Sequence, residues 1–295
     1  MIQWYDFCKN GSVPASVTRE EPIIAIYGPF QTGKSTLLNC LLGRYTVLTG
    51  KGLATTALTA RCRWGSTPRL RYRDLSGELL PTTMEQIHKP AFLKKVMQNG
   101  GFHIEANAPA ELLKHCQIVD TPGFSACSAD TTAAMSVLDE IHFVLFVVPN
   151  RGFDQAEKQL LQEFTQRKIP IAVLMNCIQG RREERWIPNH AMNRDILEEN
   201  ESWLRSEQIP VHPINGRLIH PCNFLFFWSQ QLDFAESMPY IDRSDTVKKH
   251  IRELLQEEGL SNTPESIVNL SGVPQLKEWL TKKIQGYNPI LHQWK

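Results

Sequence analysis

The chain has 295 residues, 42% hydrophobic and 21% charged, enough for one large α/β domain or a domain with a small appendage. Lys plus Arg total 32 against 31 Asp plus Glu, so overall charge argues for neither a nucleic-acid binder nor a membrane-surface protein. No apolar run approaches the roughly 20 residues that cross a bilayer, and the first ten residues, with Asp6 among them, do not read as a secretory signal.

Residues 1–20 are expected to be an N-terminal extension, 21–285 the main domain and 286–295 a short tail. Ile23 to Tyr27 is a short apolar run that predicts a buried strand, and Gly33 to Leu42 follows with helical spacing. Thr59 to Asp74 alternates like a hairpin turning at Gly65-Ser66-Thr67-Pro68, which would give the sheet an antiparallel edge. Gln117 to Asp120, Phe143 to Val148 and Ile171 to Asn176 are further buried-strand candidates. Between the last two, Asp154 to Arg167 predicts a helix with Leu160, Leu161 and Phe164 on one face, opened by an Asp154–Glu157 capping box. Asn193 to Glu207 repeats the helical pattern, and Ile209 to Ile214 reads as another strand. Residues 217–259 look like a less regular insertion, with aromatics at Phe224 to Trp228 and then a charged helix. A final helix is expected over Val273 to Ile284. Apolar strands alternating with amphipathic helices predict a three-layer α/β sandwich, a mostly parallel sheet with helices on both faces.

The strongest chemical signal is Gly28-Pro29-Phe30-Gln31-Thr32-Gly33-Lys34-Ser35-Thr36, a G-x-x-x-x-G-K-[ST] segment between a strand and a helix. Glycines let the backbone curl so that N–H groups point at phosphate oxygens, and the helix N-terminus adds a favourable field. Lys34 would bridge the β- and γ-phosphates, and the Ser35 hydroxyl would ligate Mg2+. A second element, Asp120-Thr121-Pro122-Gly123, ends a strand. Its carboxylate can hold a Mg2+-bound water, and Gly123 can give its N–H to the γ-phosphate. Together the two elements favour sensing of a γ-phosphate over simple nucleotide storage.

With these motifs the chain resembles the dynamin superfamily of large GTPases, especially its bacterial dynamin-like members. The carrying residues are the P-loop with Leu37-Leu38-Asn39-Cys40-Leu41-Leu42-Gly43-Arg44, then Leu53-Ala54-Thr55-Thr56-Ala57-Leu58-Thr59, Asp120-Thr121-Pro122-Gly123, and Ser271-Gly272-Val273-Pro274-Gln275-Leu276. The resemblance implies GTP and GDP as ligands, Mg2+ and K+ as cations, and a nucleotide-dependent homodimer. It makes Thr56, or its neighbour Thr55, the switch threonine that completes the Mg2+ shell with Ser35 and Asp120. The bland alternative is a Thr-rich strand edge.

Two departures stand out. Phe124 occupies the position where small GTPases place a water-orienting glutamine, so catalysis must draw on other groups, and the matching P-loop side chain is Gln31. The base-reading loop, Asn-Lys-x-Asp in the family, is Asn176-Cys177-Ile178-Gln179 here. Exchanging that carboxylate for Gln179 is expected to cost about 1.5–3 kcal/mol, roughly ten- to hundred-fold in guanine preference. Three readings stay open: a dimer-stimulated GTP hydrolase, a nucleotide-regulated binding module with little turnover, and a hydrolase with adenine or relaxed base specificity.

Arg61, Arg63, Arg69, Arg71 and Arg73 alternate along the hairpin, either as an anion-binding face or as a solvated edge that discourages strand pairing. The Phe224 to Trp228 cluster reads first as core. Seven scattered cysteines without a CxxC pair suit buried, reduced thiols in the cytoplasm, and the nine histidines lack zinc-site spacing. Nothing in the sequence points to nucleic acid. Membrane-remodelling members of the resembled family carry long helical stalks, and only a short tail follows residue 285 here. The expectation is a stand-alone switch, a piece of something longer, or a chain peripheral at a membrane through a separate helical or membrane-associated partner.

Overall fold

A computed structural model describes residues 21–44, 59–87, 89, 91–92, 96, 103–124, 137–178, 183–231, 244–288 and 293–294. Along the chain run β1 (Ile23–Tyr27), α1 (Lys34–Leu42), β2 (Ala60–Trp64), β3 (Arg69–Arg73), β4 (Leu79–Pro81), α2 (Met84–Ile87), β5 (Ile104–Ala108) and β6 (Gln117–Asp120). They continue with β7 (Phe143–Pro149), α3 (Gln155–Gln166), β8 (Ile171–Asn176), α4 (Arg194–Ser206), β9 (Ile219–Cys222) and α5 (Phe224–Trp228). The helices α6 (Ser244–Glu257), α7 (Pro264–Leu270) and α8 (Val273–Gln285) follow, then a small hairpin of β10 (Tyr287–Asn288) and β11 (Gln293–Trp294).

The main sheet is nine-stranded, ordered β4-β3-β5-β2-β6-β1-β7-β8-β9. Its central strands β6, β1, β7, β8 and β9 are mutually parallel, as their near-continuous apolar sequences require of strands buried on both faces. Alternation within β1 divides the core. Ile24 and Ile26 point to one layer with Leu37, Leu41, Leu276 and Leu280, on α1 and α8. Ala25 and Tyr27 point to the other with Leu160, Leu161 and Phe164 of α3 and Leu204 of α4. The expected three-layer sandwich is thus present, and the Asp154–Glu157 capping box closes reciprocally at the start of α3. Among the described residues no helix is long and apolar enough to cross a membrane.

Three expectations are corrected. First, β2 and β3 do not pair with each other: β5 lies between them, parallel to β2 and antiparallel to β3. The antiparallel edge hairpin is β3 with β4, closed by Asp74, whose carboxylate accepts from the Ser76 and Glu78 N–H groups. Second, Ile209 to Ile214 is not a strand. Its backbone pairs with the sheet through an isolated Ile171–Val211 bridge, because Pro210 and Pro213 supply no N–H for a ladder. The strand that joins β8 is β9, eight residues past Val211, with Pro221 tolerated on the sheet edge. Third, the described residues of 217–259 hold β9, α5 and α6, regular elements where a less regular insertion was expected.

The five arginines do share one face, with β5 interposed. Arg61, Glu105 and Arg71 form one row across three strands, and Arg63, Asn107 and Arg69 form the next. Glu105 is 3.3 Å from Arg71 and 3.5 Å from Arg73, while Arg61 reaches Glu140 at 2.6 Å. Phe224, Phe226, Phe227 and Trp228 are buried, as read.

Candidate nucleotide site

The strand order places the C-terminal ends of β1, β6, β7 and β8 side by side, the usual crevice for ligands in an open α/β sheet. The turn from β1 into α1 begins at Gly28, where an added Cβ would lie 2.1 Å from the Val147 carbonyl oxygen, so no side chain fits. Gly33 caps α1, whose first residue is Lys34, so the free N–H groups of the first helical turn face the crevice. The loop is tied down from within and without. Thr32 Oγ1 donates to Pro29 O at 2.9 Å, and Phe30 N donates to Phe124 O at 3.3 Å. Asn176 Nδ2 donates to Thr32 O at 2.8 Å while its Oδ1 accepts from Phe224 N at 3.2 Å. One amide therefore joins the P-loop, the end of β8 and the start of α5.

Lys34 is buried at 3% exposure and donates Nζ to Pro29 O at 2.8 Å. Burial pulls its ammonium down to about 8, opposed by the charge of Asp120. Asp120, also buried, accepts from Ser35 Oγ at 2.5 Å through Oδ2, and its Oδ1 is buried without a hydrogen-bond partner. Burial pushes its carboxyl up to about 6, opposed by the Ser35 hydroxyl and Lys34. Both charges are held at a cost that a polyanion beside Lys34 and a cation beside Asp120 would relieve. Mg2+ favours hard oxygen donors, so the orphaned Asp120 Oδ1 beside the Ser35 hydroxyl fits it. Gly123 completes this wall: a Cβ there would meet the Phe30 backbone at 2.7 Å and Lys34 Nζ at 3.1 Å.

The remaining sequence-read residues divide. Pro29, Phe30, Ser35 and Thr36 line the loop partly exposed. Gln31 is exposed at the loop crest with φ 60°, a left-handed backbone uncommon outside glycine and favoured at ligand-clasping turns. Phe124 is 4% exposed and stacks on Phe146, ring centres 6.1 Å apart, so its ring belongs to the core. Cys177, at the family's lysine position, is buried too, with Asn193 Nδ2 3.7 Å from its sulfur. Thr55, Thr56 and Gln179 lie outside the described residues. Asn223 was missed by sequence reasoning: it caps α5 through Phe226 N and donates to the carbonyls of Cys177 and Trp186, both at 2.9 Å. An Asn immediately before the apolar run 224–228 was the available capping signal.

A strand, a glycine-hinged turn and a helix around buried Lys34, with Ser35 and Asp120 beside it, define a P-loop nucleotide-binding protein. The chain belongs to the 50S ribosome-binding GTPase family, whose model matches residues 23–177, from β1 to the base-reading loop. Over 135 residues, 44% of the chain, it is 34% identical to Dynamin-like protein 2 of Campylobacter jejuni, bearing out the resemblance read from the motifs. The match spans only 21% of that relative's length. A bacterial dynamin, from an oligomerised pair described as sensing and tethering membranes, superposes with TM-score 0.46 and 19% identity over 80% of this chain and 38% of that one. Era from Aquifex aeolicus bound to GDP and AlF4− gives 0.36 and 19% over 65% and 50%. Similarity at that level carries no functional argument.

Proposed function

We propose that this chain binds Mg·GTP and hydrolyses its β–γ phosphoanhydride, acting as a switch that pairing of two domains accelerates. The observation that supports this most is the juxtaposition of Lys34, Ser35 and the orphaned Asp120 oxygen at the end of β1 and β6. In this reading the P-loop N–H groups and Lys34 hold the phosphates and neutralise charge that grows during transfer. Ser35, Asp120 and Thr56 hold Mg2+, which supplies Lewis-acid stabilisation of that charge when bound. Gly123 gives its N–H to the γ-phosphate. Asn176 and Gln179 face the base. With the Phe124 ring in the core, water orientation falls to Gln31 and to groups that a partner domain orders. The resemblance implies K+ as a second cation, which a comparison of rates in KCl and NaCl tests.

A relaxed base preference is the second reading. Buried Cys177 leaves the family's lysine contact unmade, and Gln179 replaces the carboxylate that accepts two guanine N–H groups. Incubating the chain with equimolar GTP and ATP plus Mg2+, and following both by chromatography, separates the readings. Consumption of GTP at least tenfold faster supports guanine specificity, equal consumption supports the relaxed site, and consumption of neither removes the enzyme. Cytoplasmic residence and membrane association through a separate partner belong to the same proposal, on the strength of the dynamin-like relative alone.

A further inference from the structure

Helix α6 stands outside the phosphate site, yet it grips the chain segment that leaves the base-reading loop. Glu183 lies 2.8 Å from His250 Nε2, and the Trp186 ring meets the His250 ring edge-on at 5.6 Å. Four residues further along the segment, Ile187 packs with Ile251, Leu254 and Leu255 of α6 and with Phe226 of α5. His190 reaches Glu258, just past the helix, at 3.4 Å.

The opposite side of the same segment is held by buried amides. Asn193 Nδ2 donates to Arg185 O at 2.9 Å and Ile187 O at 3.0 Å. Asn223 Nδ2 donates to both Trp186 O and Cys177 O, so one side chain connects the held segment to the base-reading loop itself. Arg185 in turn donates to Asn150 O at 2.7 Å. Asn193 and Asn223 are fully buried. Their amides are matched here, while Arg185 Nε and Trp186 Nε1 are buried without a hydrogen-bond partner. The four amide bonds favour one conformation of residues 183–193, because leaving it breaks them inside the protein. The ordering cost that a base would otherwise meet on binding is thereby met during folding.

We propose that α6, acting through His250 on Glu183 and through the Asn193–Asn223 network, is a buttress that sets affinity for the nucleotide's base and leaves the phosphate grip unchanged. His250, Glu183, Asn193 and Asn223 are positioning residues. The inference rests on the nucleotide-binding reading above.

The test uses two probes on the whole chain: release of GDP labelled on its ribose, followed by stopped flow, and calorimetry with Mg-tripolyphosphate, which has no base. His250→Ala and Glu183→Gln should each speed GDP release about two- to fivefold, with the double variant no faster than the faster single one. Asn193→Ala, which removes two buried hydrogen bonds and leaves Arg185 O only Asn150 Nδ2 and Ile187 O only the His190 N–H, should speed it by about tenfold. Tripolyphosphate affinity should stay within about twofold throughout, since the P-loop contacts are untouched. Unchanged GDP release in all these variants overturns the buttress while leaving nucleotide binding intact. Parallel loss of both probes also overturns it, because it marks general loosening of the fold. A wild-type chain that binds neither probe overturns the nucleotide reading and the buttress with it.

Discussion

The Ser35 hydroxyl donates to Asp120 Oδ2 across 2.5 Å, while the other oxygen of the same carboxylate is buried with no hydrogen-bond partner. Two residues from elements 85 positions apart thus meet with half of one carboxylate left unmatched. A fold optimised for stability alone would not hold it so.

Burial of this carboxylate, opposed by the Ser35 bond, gives a pH-dependent stability. The Asp120 carboxyl is raised from 3.8 to about 6 by burial, so its contribution to stability is whole below pH 3.8 and is lost as pH rises through about 6. Asp120→Asn keeps an acceptor for Ser35 and cannot ionise. Without nucleotide or Mg2+, it should be more stable than wild type above pH 6 by on the order of 1–3 kcal/mol. Calorimetric melts from pH 4 to 8 should show this advantage shrinking toward acid. An advantage that does not vary with pH would mean that folding leaves the Asp120 pKa unshifted.

Asn176→Ala removes the donor to Thr32 O and the acceptor for Phe224 N in one change, leaving two buried backbone groups unmatched. The expected loss is roughly 2–4 kcal/mol of stability, with nucleotide affinity weakened about tenfold or more. Urea unfolding and nucleotide titration check the two effects separately. Full stability with only the affinity lost would mean that Asn176 contacts the base without serving as a structural tie.

Restoring a glutamine at the small-GTPase position should fail. The Phe124 ring is packed on Phe146 in the core, so Phe124→Gln buries an amide there and should destabilise the fold by about 2–4 kcal/mol without raising turnover. Faster hydrolysis by this variant would show that position 124 turns toward the nucleotide when it is bound. Gln31→Ala, at the exposed loop crest, should instead flatten the rise of specific activity with protein concentration by roughly 10²–10³ at its plateau. Activity per molecule that is constant from dilute to concentrated wild type would rule out acceleration by pairing.

Under the proposed switch role, in which the Thr56 hydroxyl organises Mg2+ and the reacting water, Thr56→Ala should slow turnover far more than it weakens binding. Single-turnover rates at saturating nucleotide make the comparison. Equal rates in Thr56→Ala and in wild type would pass the switch role to Thr55.

The site was legible where chemistry is local. Gly28 to Thr36 declares itself because each residue type answers to a neighbour within one turn. Asp120 became readable only once a P-loop preceded it. The sheet edge was misread for a long-range reason: the alternation of 60–73 looks identical whether β3 pairs with β2 or with an intervening strand. The residues that decide are Glu105 and Asn107, some thirty-five positions away, matched row by row to the arginines on both sides. Likewise the Asn193 and Asn223 amides act on carbonyls brought together by tertiary folding, which no spacing in the sequence announces.

The central claim is that Lys34 and its loop hold a triphosphate for hydrolysis. Phosphate release from Mg·GTP, followed for the wild-type chain and for Lys34→Ala side by side, tests it most directly. The account predicts steady release by wild type, abolished by EDTA, and no release above background by Lys34→Ala, which should still fold because burial holds the Lys34 ammonium at a cost that its removal relieves. Release by Lys34→Ala at the wild-type rate, or none by wild type at any protein concentration, would contradict it.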